Sequence, residues 1–133
     1  MRVLIVEDNP TNQRLLSNML SGVAVCDIAR DGQEGVEFYQ KALTNNKPYD
    51  LICLDVMMPV MDGHKALAEI RRIEQENQVP PDRLVKILMT TAVNSPSSID
   101  GARETGCDGY LVKPIRKVAL YEELEQLELM DGV

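Results

Sequence analysis

Five short apolar runs recur along the chain, each leading into a stretch with helical spacing of its apolar residues. The runs are Arg2–Val6, Val23–Ala29, Leu51–Leu54, Leu84–Thr90 and Gly109–Val112. Short runs without polar alternation, bounded by turn residues, read as strands buried on both faces. Helix signals fall between them. Asn9-Pro10 pairs a cap residue with proline at the first helical position, ahead of a stripe of Leu15, Leu16, Met19 and Leu20 that ends at Gly22. Asp31-Gly32 opens a helix carrying Val36, Tyr39 and Leu43, and Asp62-Gly63 opens one carrying Leu67, Ile70 and Ile73. Ser95-Pro96 repeats the cap signal for a short fourth helix ended by Gly106, and a fifth runs from Lys117 to Met130 with Leu120, Leu124 and Leu127 inward. The polar stretch Glu74–Asp82 is expected to be a surface loop. Alternation of this kind predicts α/β architecture, a parallel sheet with helices on both faces. The whole chain, 1–133, is expected to be a single domain.

A parallel sheet brings the carboxyl ends of all its strands to one edge, where ligands bind. The strand ends read Glu7-Asp8, Arg30-Asp31, Asp55, Thr91 and Lys113. If the second strand lies at an edge, its residues stand away from the others. Three carboxylates, a hydroxyl and an ammonium then share one crevice. Asp55 alone leaves two readings open, a turn cap or a functional carboxylate. The company it keeps favours the second. Clustered acids repel unless a cation sits among them, and Mg²⁺ suits a site with few carboxylates and room for water. With such charge compensation, a carboxylate can attack a phosphoryl group and hold it as an aspartyl phosphate, with Thr91 and Lys113 reaching its oxygens.

Charge and composition narrow the alternatives. A net charge of -7 argues against a nucleic-acid binder. The basic pairs Arg71-Arg72 and Arg116-Lys117 are expected to decorate helix surfaces. Cys26, Cys53 and Cys107 lack metal-ligand spacing and read as reduced thiols, two of them in apolar runs. No apolar run approaches membrane-span length, and no room exists for a signal peptide before the first strand, so a cytoplasmic location with no membrane partner is expected.

Glu7-Asp8, Asp55 followed by Met58-Pro59 and Asp62-Gly63, Thr91-Ala92, and Tyr110 before Lys113-Pro114 resemble a response-regulator receiver domain of two-component signalling. The stretch Val6–Gln13, with Asn9, Asn12 and Gln13, resembles the receivers of hybrid histidine kinases in particular. The resemblance implies a flavodoxin-like (βα)5 sandwich with strand order 2-1-3-4-5. It implies that Asp55 accepts the phosphoryl group. Glu7, Asp8, Asp55 and the main-chain carbonyl of Met57 would hold Mg²⁺. Thr91 and Tyr110 would form a switch, and the Lys113-Pro114 bond would be cis. The donor would be a histidine kinase or a histidine phosphotransfer protein, docking on the first helix and the Pro114-Ile115 loop. The output would be an unknown protein or a second copy, through the face of the fourth helix, fifth strand and fifth helix. Any enzymatic activity would be self-catalysed phosphotransfer and slow dephosphorylation.

The resemblance further implies that Met57 and Val93, two residues beyond Asp55 and Thr91, flank the phosphoryl group and influence water access; both are apolar and cannot orient an attacking water, which predicts a long-lived phosphoryl state. The sole histidine, His64, is expected to be solvated, and Asn12 either needs a hydrogen-bond partner or lies at an exposed rim. Two competing functions remain open. A small-molecule phosphohydrolase typically needs a second acid where Met57 stands, and a pseudo-receiver would only bind partners.

Overall fold

The computed structural model describes residues 1–58, 60–91 and 106–129. Five strands, β1 (Arg2–Val6), β2 (Val25–Ala29), β3 (Leu51–Asp55), β4 (Lys86–Thr91) and β5 (Gly109–Val112), form one sheet in the order β2-β1-β3-β4-β5. Every pairing is parallel. The helices are α1 (Pro10–Leu20), α2 (Gly32–Thr44), α3 (Gly63–Glu76) and α4 (Lys117–Gln126), with a 3₁₀ turn at Pro81–Arg83. The helix expected from Ser95-Pro96 lies outside the described residues, as do Pro59, Ala92, Val93 and Met130.

Side chains alternate along each strand, and the two faces separate cleanly. Leu4, Val6, Ile52, Leu54, Ile87 and Met89 pack under α2 and α3 with Tyr39, Leu67 and Ile70. Val3, Ile5, Leu51, Cys53, Leu88 and Leu111 pack under α1 and α4 with Leu16, Leu20, Leu120 and Leu124. Both faces of the central strands are therefore apolar, as a doubly covered parallel sheet demands. Among the described residues no helix is long and apolar enough to cross a membrane.

The helix starts follow their capping chemistry. Asn9 accepts from the N–H groups of Thr11 and Asn12, Asp31 from Glu34 and Asp62 from Lys65. Asp31 is thus spent as a cap at the edge strand, away from the crevice.

Several expectations are corrected. Strand β2 starts at Val25 and β4 at Lys86, two residues later than the apolar runs suggest. Helix α3 continues to Glu76, so Glu74 is helical rather than part of a surface loop, and it is buried. Glu74 accepts from Tyr39 Oη at 3.0 Å and the Val85 amide at 2.7 Å, and pairs with Arg71 at 2.6 Å. Arg71 also bonds the carbonyls of Gly106 and Val85 and the Asp108 carboxylate, so it is an interior cross-brace, whereas Arg72 stays on the surface. Leu15 belongs to the α1 stripe by spacing yet is exposed, and His64 is half-buried. Cys53 is fully buried and its thiol is pushed up to about 12 by desolvation, while Cys26 and Cys107 are half-buried.

Candidate functional site

The register places the acidic residues. Val6 lies opposite Leu54, so the next residues out, Glu7 and Asp55, continue the two strands side by side at the carboxyl edge. Glu7 keeps the alternation of Val3 and Ile5, and Asp55 that of Leu51 and Cys53, so both carboxylates lie on the α1–α4 side. Only 1% of Glu7 and 4% of Asp55 is exposed. Asp8, one residue on, is exposed at the lip.

Lys113 follows β5, before a cis bond to Pro114. Its Nζ lies 3.2 and 3.1 Å from the two oxygens of Glu7 and 3.3 Å from Asp55 Oδ1. Burial, and then the hydrogen bond and charge of neighbouring Glu7, push the Asp55 carboxyl up from 3.8 to about 6, against the pull of Lys113. Two buried carboxyls beside one ammonium are short of positive charge.

Oxygens of Glu7, Asp8 and Asp55 lie within 4.8 Å of one another. Three carboxylates converging in this way are a donor set that a hard divalent ion such as Mg²⁺ would draw together. The hard all-oxygen donor set and the exposed lip at Asp8, which leaves room for waters, fit that ion.

Two residues that the sequence reading gave no place in the site also hold it. Asn12 Nδ2 donates to Glu7 Oε1 at 3.0 Å, and Gln13 Nε2 donates to the Glu7 carbonyl at 2.7 Å. The only signal in the sequence was Asn12 itself, a polar residue breaking an apolar stripe. Glycine at position 63 is required by a close approach: a Cβ there would stand 2.3 Å from the Asp55 carbonyl oxygen. The amide of Met57 donates to Asp55 Oδ1 at 3.3 Å, while its side chain is 70% exposed.

Thr90 and Thr91 are both buried at the end of β4. Thr90 pairs with Asp55 across the ladder, and Thr91 is the last residue of β4, one position further toward the carboxyl edge. The Thr91 carbonyl accepts from the Lys113 amide at 2.7 Å, which ties the ends of β4 and β5 together. The half-buried Tyr110 lies on β5 opposite Met89.

A family model described as the response regulator receiver domain matches residues 3–125. The chain is 38% identical over 114 residues to the peroxide stress-activated histidine kinase mak1 of Schizosaccharomyces pombe, covering 85% of this chain and 7% of that protein. It is 33% identical over 121 residues to the osmosensing histidine protein kinase SLN1 of Saccharomyces cerevisiae, covering 90% and 9%. The chain therefore spans less than a tenth of the length of these relatives. Among solved structures, it superposes with TM-score 0.83 and 32% identity on a chain in the co-crystal of the Saccharomyces cerevisiae phosphotransfer protein Ypd1 with the receiver domain of Ssk1, covering 100% of this chain and 92% of that one. The receiver domain of sensor histidine kinase PA1611 from Pseudomonas aeruginosa, with magnesium coordinated in its active-site cleft, matches at TM-score 0.79 and 28% identity, covering 97% and 98%.

Proposed function

The chain belongs to the response regulator receiver domain family, and on that premise we propose that Asp55 takes a phosphoryl group from the phosphohistidine of a partner protein. The observation that carries the proposal is the buried pair Glu7 and Asp55 sharing the Lys113 ammonium at 3.1 to 3.3 Å. Such a charge cluster is costly to keep unless its groups are used. A carboxylate oxygen of Asp55 attacks phosphorus, and the bond to the donor imidazole nitrogen breaks. That nitrogen leaves with the electron pair and keeps it as its ring lone pair. Near neutral pH most of the Asp55 carboxyl is ionised and ready to attack.

Glu7, Asp8, Asp55 and the Met57 carbonyl would hold Mg²⁺, which supplies positive charge against the phosphoryl oxygens. Lys113 leaves the carboxylates to pair with one of those oxygens, and Thr91 donates to another. Phosphoryl transfer asks chiefly for positioning and charge stabilisation, so this small set suffices.

The donor class is a histidine kinase or histidine phosphotransfer protein. The Ypd1–Ssk1 co-crystal supports it as an analogue, since this chain superposes along its full length on one of the chains in it. The output is a change at the face of β5 and α4, together with the segment expected to form the fourth helix, which would meet a partner protein or a second copy.

Incubation with acetyl phosphate and Mg²⁺, read by intact mass, tests the proposal. A single phosphoryl adduct, absent in Asp55→Asn, is the expected result. Turnover without an adduct overturns it in favour of a phosphohydrolase, and no reaction in favour of a pseudo-receiver.

A further inference from the structure

We propose that Asn12 is a positioning residue for the cation site, holding the Glu7 carboxylate in the orientation that presents it to a divalent ion; this rests on the phosphoacceptor reading above. The first turn of α1 grips Glu7 at two points, its Oε1 through Asn12 Nδ2 at 3.0 Å and its carbonyl through Gln13 Nε2 at 2.7 Å. That turn is itself fixed, because the Asn9 side chain caps it and Pro10 sets its first backbone angle.

Asn12 and Lys113 both donate to the Glu7 carboxylate, and they differ in kind. Lys113 is a mobile point charge on a long stem. It must give up the Glu7 oxygens for a cation to be held there, and again for a phosphoryl group to be bound. Asn12 is short, neutral and rooted in a helix. It steadies the anion without cancelling the charge that a cation needs, and a carboxylate oxygen has lone pairs for both an amide and an ion. Asn12 therefore keeps the Glu7 side chain in place while Lys113 changes partners. Without it, a nearly unexposed carboxylate lacks the neutral anchor that would stay in place when the lysine departs.

The test is direct Mg²⁺ titration of wild type and Asn12→Ala by calorimetry, paired with acetyl phosphate labelling across a Mg²⁺ series. Alanine favours the helix and leaves the backbone cap intact, so the variant folds. Loss of an outer-shell ligand partner typically weakens metal affinity by about 10- to 100-fold, and a loss of at least about tenfold is expected here. The Mg²⁺ needed for half-maximal labelling rises in step, while the rate at saturating Mg²⁺ is unchanged. A merely structural role would not separate those two quantities. Asn12→Ser, too short to reach Glu7, repeats the test and must agree. Unchanged Mg²⁺ affinity in either folded variant overturns the proposal, as does a lowered plateau with unchanged affinity. A wild-type protein that takes no Mg²⁺ overturns the cation site itself and the Asn12 role with it.

Discussion

The ammonium of Lys113 contacts both oxygens of the Glu7 carboxylate, at 3.2 and 3.1 Å, although the two residues stand at opposite ends of the chain. The contact closes the acidic edge, because β1 and β5 are separated in the sheet by β3 and β4. Removing the ammonium leaves two buried carboxyls facing each other without the positive charge that now lies between them. Lys113→Ala is therefore expected to cut the rate of phosphoryl labelling by more than about tenfold, in line with the loss of one charge-stabilising donor. Lys113→Arg restores little, since a planar fork does not replace a compact point charge. Time courses of adduct formation by intact mass at saturating Mg²⁺ check both.

The Asp55 carboxyl gives the domain a pH signature. Its folded value of about 6 lies above its ordinary 3.8, so between these limits the folded state binds the proton that the unfolded state releases. The sign follows: this group's contribution is fully present below about pH 4 and is lost as pH rises through 6, on the order of 3 kcal/mol. Mg²⁺ needs the ionised carboxylate. The Mg²⁺-induced rise in Tm should therefore be small at pH 5 and larger at pH 7. Asp55→Asn should flatten both trends in thermal melts. A wild-type Tm shift with Mg²⁺ that is equal at the two pH values would contradict this account.

The phosphoryl adduct, once formed, is expected to persist for hours. Met57 lies beside Asp55 with an exposed thioether that can neither donate to nor orient an attacking water. Following the mass of the adduct after removal of acetyl phosphate, with Mg²⁺ kept present, measures its lifetime. Met57→Glu, which places an acceptor at the same point, is expected to shorten it.

Glu74 shows where sequence reading stops. The alternation of apolar runs and caps was enough to locate all five strands along the chain, and the family resemblance supplied their order in the sheet. The strand ends were enough to bring Glu7, Asp8, Asp55 and Lys113 to one edge, because in a parallel sheet that follows from topology alone. The Asn12 and Gln13 bonds to Glu7 were not legible, since they depend on side-chain reach from a neighbouring helix. Glu74 sits in a polar, proline-bearing stretch with every local mark of a loop. It is helical and buried because distant partners, Tyr39, Arg71 and Val85, satisfy its carboxylate. Only tertiary contacts supply them. Glu74→Ala takes this acceptor from Tyr39 and the Val85 amide and removes one of the two carboxylates paired with Arg71, and it is expected to cost about 3 kcal/mol. Urea unfolding should show a lower midpoint, while labelling of the folded fraction at Asp55 is retained.

Gly63 joins fold and site at one atom. It opens α3 directly behind the Asp62 cap, and its Cα packs against the backbone that carries Asp55, the proposed phosphoacceptor. An added methyl would stand 2.3 Å from the Asp55 carbonyl oxygen and 2.8 Å from Val56 Cα, both main-chain atoms. Backbone gives way less easily than a flexible side chain, so the strand end or the helix start must shift. Overpacking of this kind typically costs about 1–3 kcal/mol. The displacement reaches the reacting residue, unlike that from Glu74→Ala at the other end of the sheet. Gly63→Ala is therefore expected to lower both Tm and the labelling rate of the folded protein, because Asp55 no longer meets Glu7 and Lys113 at hydrogen-bond distance. Gly22→Ala is the control, since a Cβ there meets nothing within 4 Å. It should leave the labelling rate unchanged. Equal labelling by Gly63→Ala and wild type, measured where both are fully folded, would show that the Asp55 carbonyl can move without disturbing its side chain.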